Sequence, residues 1–127
     1  MGKNFYQSNI PDDRWPVVSQ FFNPSAGTSG GSTVAVTMVA TPTYTVQPIN
    51  YALITSVEEP VTIVLPPTPT KGNRYLFKDG TGTSGSNAIT IEGNGNSIDD
   101  QTSYTIQNNW GFVSVLFNGA QWNVVNQ

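Results

Sequence analysis

Cysteine and histidine are both absent from this chain of 127 residues, and each absence removes a body of chemistry. Without cysteine there is no disulfide framework, no thiolate nucleophile and no zinc–thiolate centre. Without histidine the commonest general base and the commonest transition-metal ligand are gone together. Charge is also scarce, with 10% of residues Asp, Glu, Lys or Arg against about 25% in an ordinary soluble domain. None falls between Trp15 and Val57 or between Gln101 and Gln127, so these segments have no ionic repulsion to hold other chains away. They suit permanent protein contact. The net charge is −3 and the five basic residues stand singly, which offers a phosphate backbone no electropositive track; nucleic acid is not an expected partner. No apolar run is long enough to cross a bilayer and residues 1–6 lack the apolar core of a signal peptide, so no membrane partner is expected and folding in a cytoplasm is.

What the chain does have is Gly, Pro, Asn, Ser and Thr, arranged in two regimes. Residues 1–32 read as an anchoring arm followed by a tether. Phe5, Tyr6, Trp15, Phe21 and Phe22 are spread among prolines and charges without strand or helix period, and Pro24 to Ser32 has the composition of a flexible linker. Large aromatics in irregular sequence need a surface, so Phe5, Trp15, Phe21 and Phe22 are the expected particle- or partner-binding residues. From residue 33 to 127 the apolar residues recur at period two between Gly, Pro and Asn punctuation, which predicts an all-β body. Strands are expected at 33–40, 43–47, 51–56, 61–65, 74–79, 87–92, 103–107, 111–117 and 120–125. Short strands at near-regular spacing point to a compact antiparallel sandwich, a jelly-roll-like fold or a small barrel.

The last two strands carry the strongest local signal. Asn118-Gly119 suits the centre of a type I′ turn, and a two-residue loop would place Phe117 opposite Ala120, Val115 opposite Trp122 and Val113 opposite Val124. One face of that ribbon is wholly apolar. The other, with Phe112, Ser114 and Leu116 against Gln121, Asn123 and Val125, is too mixed for a core and too apolar for open water, as subunit-facing surfaces often are.

Candidate chemistry is thin. Glu58-Glu59 and Asp99-Asp100 are paired carboxylates, but sequence neighbours in extended chain point to opposite sides and cannot flank one glycosidic bond. Asp79, Asp99 and Asp100 have the right atoms for a cation without the alternating ladder of a calcium loop. Gly93-Asn94-Gly95 lies between strands with no helix to bind phosphate and reads as a turn. Serines such as Ser84 and Ser114 have no histidine to activate them. No catalytic, metal or cofactor residues are therefore assigned, and the protein is not expected to be an enzyme. Flat aromatics could stack on sugars; Trp122 belongs on the apolar hairpin face as core, and although Trp110, between Asn108-Asn109 and Gly111, is the better exposed candidate, its expected role too is packing at the start of a strand.

Over residues 61–125 the succession Val61-Thr62-Ile63-Val64-Leu65-Pro66, Lys71-Gly72-Asn73-Arg74-Tyr75-Leu76-Phe77-Lys78-Asp79, Asn87-Ala88-Ile89-Thr90-Ile91, Ile98-Asp99 and Phe117-Asn118-Gly119-Ala120-Gln121-Trp122 resembles a β-rich module of tailed-bacteriophage virions. Such modules occur in fibres, tail tips and capsid-decorating proteins. The resemblance implies a trimeric structural module with no enzymatic role, found in the virion and made in the host cytoplasm. Its partners would be its own copies, as a homotrimer, and capsid or tail proteins. The expected function is capsid decoration, as a cement or head-fibre protein docked through residues 1–32. The alternative is a tail fibre or tail tip whose loops at 66–72, 79–87 and 93–97 bind a host receptor or surface glycan.

Overall fold

Each strand of this protein ends where its backbone can no longer pair, and the residue that ends it decides where the chain goes next. The computed structural model describes residues 32–127, so Phe5, Trp15, Phe21 and Phe22 lie outside the described residues. Val34–Gln127 form one compact unit. Its strands are β1 (Val36–Val39), β2 (Thr43–Thr45), β3 (Ala52–Thr55), β4 (Val61–Val64), β5 (Arg74–Lys78), β6 (Ile89–Glu92), β7 (Ser103–Ile106), β8 (Phe112–Phe117) and β9 (Trp122–Asn126). Every one overlaps a segment expected from the period-two pattern, and the described residues contain no helix.

The strands form a five-stranded sheet in the order β1-β3-β5-β8-β9 and a four-stranded sheet in the order β2-β4-β6-β7. From β1 to β6 the chain alternates between the sheets at every step, so β1, β3 and β5 run parallel in one and β2, β4 and β6 run parallel in the other. The result is a two-sheeted coil. From β7 onward pairing is antiparallel: β7 on β6, β8 on β5 and β9 on β8. The expectation of an antiparallel sandwich is therefore corrected to a pair of mixed sheets. The reason lies in the connections. Pro42, Pro48, Pro60 and the Pro66-Pro67-Thr68-Pro69 run sit at the first four corners, where a residue without an N–H ends its ladder, and the chain crosses to the other sheet instead of turning back.

One core cluster draws on both sheets. Val39, Leu53, Tyr75, Phe77, Val113, Val115, Phe117 and Trp122 come from the five-stranded sheet, and Val61, Ile63, Ile89, Ile91 and Ile106 from the four-stranded one. Alternation along β4, β5 and β8 puts every second residue into this cluster, as period two requires. Trp122 is fully buried, with ring centroids of Phe117 and Tyr75 at 5.2 and 5.7 Å. Its indole Nε1 has no hydrogen-bond partner, an uncompensated polar group in the core.

The terminal hairpin keeps the expected faces with a shifted register. Phe117 pairs with Trp122 and Val115 with Val124, two residues along from the expected partners. The turn is centred on Gly119-Ala120, not Asn118-Gly119: Gly119 takes φ 101°, while Asn118 stays outside and its Oδ1 accepts the N–H groups of Ala120 and Gln121 at 2.8 and 2.9 Å. A glycine in the first central position suits a type II′ turn. Because the slip is of two residues and not one, no side chain changes face. An irregularity between Ser114 and Val115 then carries the ladder to Ser114 and Asn126.

The outer side of the five-stranded sheet is unusually apolar. Its register aligns Val36, Ala52, Leu76 and Ser114 in one row and Met38, Ile54, Lys78 and Phe112 in the next. Val36 and Met38 are 57% and 56% exposed. β1 and β2 open their respective sheets and, among the described residues, each has one edge unpaired.

Candidate functional site

The best-built surface feature lies where two loops meet, residues 79–88 between β5 and β6 and residues 107–111 between β7 and β8. Asp79 sits at the junction, buried, with its carboxylate as the common acceptor. Oδ1 accepts the Thr81 and Gly82 N–H groups at 2.9 and 3.0 Å and the Thr81 hydroxyl at 3.0 Å. Oδ2 accepts the Ser84 and Trp110 N–H groups, each at 2.9 Å. Burial by itself would raise the pKa of this carboxyl. The N–H donors of Ser84, Thr81 and Trp110 outweigh it and hold the group ionised, well below the usual carboxylate range. The same loops are stitched twice more: the Ser84 hydroxyl donates to the Asn108 carbonyl, and the Gly85 N–H donates to Asn109 Oδ1 at 2.8 Å.

These bonds hold Trp110 in a posture that its side chain disfavours. The Gly111 N–H donates to the Asn108 carbonyl at 2.8 Å, which closes a four-residue turn with Trp110 in third place at φ 63°. Glycine or asparagine is usual there, because a Cβ in the left-handed region costs about 1–2 kcal/mol. The indole lies against Gly82, where an added Cβ would fall 2.4–2.7 Å from ring atoms, so only glycine leaves room for it. The Lys78 ammonium stands 5.6 Å from the ring centroid and donates to the Trp110 carbonyl. Trp110 remains 58% exposed.

Beside it runs an open groove of about 410 Å³, bordered by Tyr104, Gln107, Asn108, Trp110, Phe112 and Gln127. Tyr104 packs against the core and donates its hydroxyl to Gln127 Oε1, which ties β7 to the end of the chain across one side of the groove. No side chain that borders the groove carries a charge.

The other residues singled out from the sequence are dispersed. Asp99 and Asp100 occupy the centre of a tight turn at φ 47° and 65°, closed by reciprocal Ile98 and Gln101 backbone bonds of 2.7 and 2.9 Å. Their carboxylates serve β9, Asp99 accepting the Val124 N–H at 3.2 Å and Asp100 the Gln121 amide at 3.1 Å. Glu58 and Glu59 are exposed at the β3–β4 corner. Among the described residues no three acidic side chains gather into a cation site. Gly93 to Asn96 form a turn, with Asn94 and Gly95 at positive φ. Trp122 is core, as the alternation indicates, whereas Trp110, expected to pack at the start of a strand, is exposed in the turn before β8. Tyr75 is also core, whereas Tyr51 lies at the surface under the Arg74 guanidinium, 5.6 Å from its ring centroid.

Asp79 as the organiser of the site went unread in the sequence. The available signal is the run Asp79-Gly80-Thr81-Gly82-Thr83-Ser84-Gly85, an acidic residue followed by small residues whose unhindered N–H groups can turn back onto it. The chain matches no protein-family model and no curated protein.

Proposed function

We propose that the protein is a structural component of a bacteriophage particle, a capsid-decoration protein whose β body assembles as a homotrimer on the exterior and which has no enzymatic role. The observation that carries this reading is the outer face of the five-stranded sheet. Val36, Met38, Ile54, Leu76 and Phe112 lie on one side of adjacent strands, Val36 and Met38 are more than half exposed, and Lys78 and Ser114 are the polar members of the rows. Contiguous apolar surface of this kind marks protein contact. The unpaired edge of β1 adds to it, since natural edge strands normally carry charge against unwanted pairing and β1 has none. Closed symmetric association would cover both features. The N-terminal residues Phe5, Trp15, Phe21 and Phe22 are the proposed anchors to the capsid.

Sedimentation velocity on the full chain tests the assembly half. Wild type should sediment as a trimer, and Val36→Asp combined with Met38→Asp should give folded monomer. A wild type that stays monomeric at every accessible concentration removes the reading. Co-sedimentation with phage particles tests the other half: Trp15, Phe21 and Phe22 changed together to Ala should abolish binding while the trimer persists.

A further inference from the structure

We infer that the groove between Trp110 and Tyr104 is a binding site for a neutral carbohydrate, with the Trp110 indole as the stacking platform. The inference rests on the groove alone and holds wherever the protein is placed on a particle. Four observations support it, each bearing on a different property of the ligand.

The first is posture. Trp110 holds a left-handed backbone conformation in a turn that Asn or Gly would occupy without strain, and the strain is sustained by the Asp79 carboxylate that accepts its N–H. A residue selected only to close the turn would not be tryptophan. The second is rigidity. Loops 79–88 and 107–111 are joined by Asp79, Ser84 and Asn109, and Gly82 leaves room for the indole, so the platform is fixed before any ligand arrives. The third is the chemistry of the walls. Gln107, Asn108 and Gln127 offer amide donors and acceptors, and Tyr104 adds aromatic surface. Planar amides beside an exposed indole suit the two sides of a pyranose, its hydroxyl rim and its apolar C–H face. The fourth is charge. Every side chain bordering the groove is neutral, and the nearby Lys78 ammonium is engaged by the Trp110 carbonyl. Sialic acid or a uronate would meet no cation among the bordering side chains, and the one ammonium beside Trp110 already donates to its carbonyl, so the walls favour a neutral glycan over an acidic one.

The probe is an array of oligosaccharides, neutral hexose polymers alongside sialylated and uronate-bearing chains, followed by titration of the best neutral binder with tryptophan emission as readout. The full chain should bind neutral oligosaccharides, with indole emission shifting on saturation. Trp110→Ala should weaken binding at least about tenfold, with its melting temperature unchanged. Gln107 is exposed and its side chain makes no hydrogen bond to the described residues, so Gln107→Ala leaves the fold alone and should also weaken binding, which keeps the test informative should Trp110→Ala unfold. Absence of binding by wild type at millimolar sugar overturns the inference. So does preference for acidic chains, or affinity untouched by both substitutions. Sedimentation of Trp110→Ala supplies the remaining arm: if that change dissociates copies of the chain from one another, the groove is a subunit contact and not a sugar site.

Discussion

The run from β1 to β6 and the run from β7 to β9 are built from the same kind of strand and are turned by different residues. In the first, corners are proline-marked, consecutive strands lie in opposite sheets and pairing is parallel. In the second, corners are made by residues in the left-handed region and pairing is antiparallel. Among the described residues all four non-glycine positions at positive φ, Asn94, Asp99, Asp100 and Trp110, lie after β6. Proline ends a ladder without reversing the chain, whereas positive-φ residues let it reverse into the β6–β7 and β8–β9 hairpins, while the step from β7 to β8 still crosses between the sheets. The corner between β5 and β6 is the transition. It crosses between sheets as the earlier ones do, yet Asp79 holds it together in place of proline.

The largest effect expected from breaking this arrangement comes from the core that both regions share. Trp122→Ala should destabilise by about 4 kcal/mol in urea titration, as large-to-small core changes do. Trp122→Phe should cost distinctly less, because it also removes the unpartnered Nε1–H. Next is the transition corner. Asp79→Ala leaves five donors without their acceptor and should cost about 3 kcal/mol, with hydrogen exchange accelerating in residues 79–88 and 107–111 before it does in β3 or β4.

The same carboxylate sets an acid dependence. Its folded pKa is depressed, so the unfolded chain binds the proton more readily and the stability that Asp79 contributes is present above its unfolded pKa of about 4. That contribution is lost as pH falls below about 4. Urea midpoints for wild type and Asp79→Asn should therefore differ widely at neutral pH and converge in acid. Smaller effects separate the two kinds of corner. Gly119→Ala meets no steric obstacle but forces a Cβ into φ 101°, and should cost about 1 kcal/mol. Pro60→Ala should cost about 0.5 kcal/mol through unfolded-state entropy alone, with the parallel pairing of β4 unchanged.

Much of this body was legible residue by residue. Alternation placed nine strands and put Trp122 in the core. It even survived a misplaced turn: centring the hairpin on Asn118-Gly119 instead of Gly119-Ala120 moved the partners of Val115, Leu116 and Phe117 by two residues and left Val113, Val115, Phe117 and Trp122 on the inner face. The Asp79 hub was not legible, because its donors come from two loops about 30 residues apart, and nothing local announces that Trp110 will return its N–H to that carboxylate.

Sequence alone thus settled which residues face inward, since a strand's two sides are set by the backbone and need no knowledge of its neighbour. Only the tertiary structure decided which strands neighbour which. A strand's N–H and C=O groups accept a parallel or an antiparallel partner with nearly equal ease, so the choice between coil and hairpin fell to the corners and to the packing of one shared core. The strained, carboxylate-held posture of Trp110 was decided at that same level, because it exists only once β5 and β8 bring the two loops together.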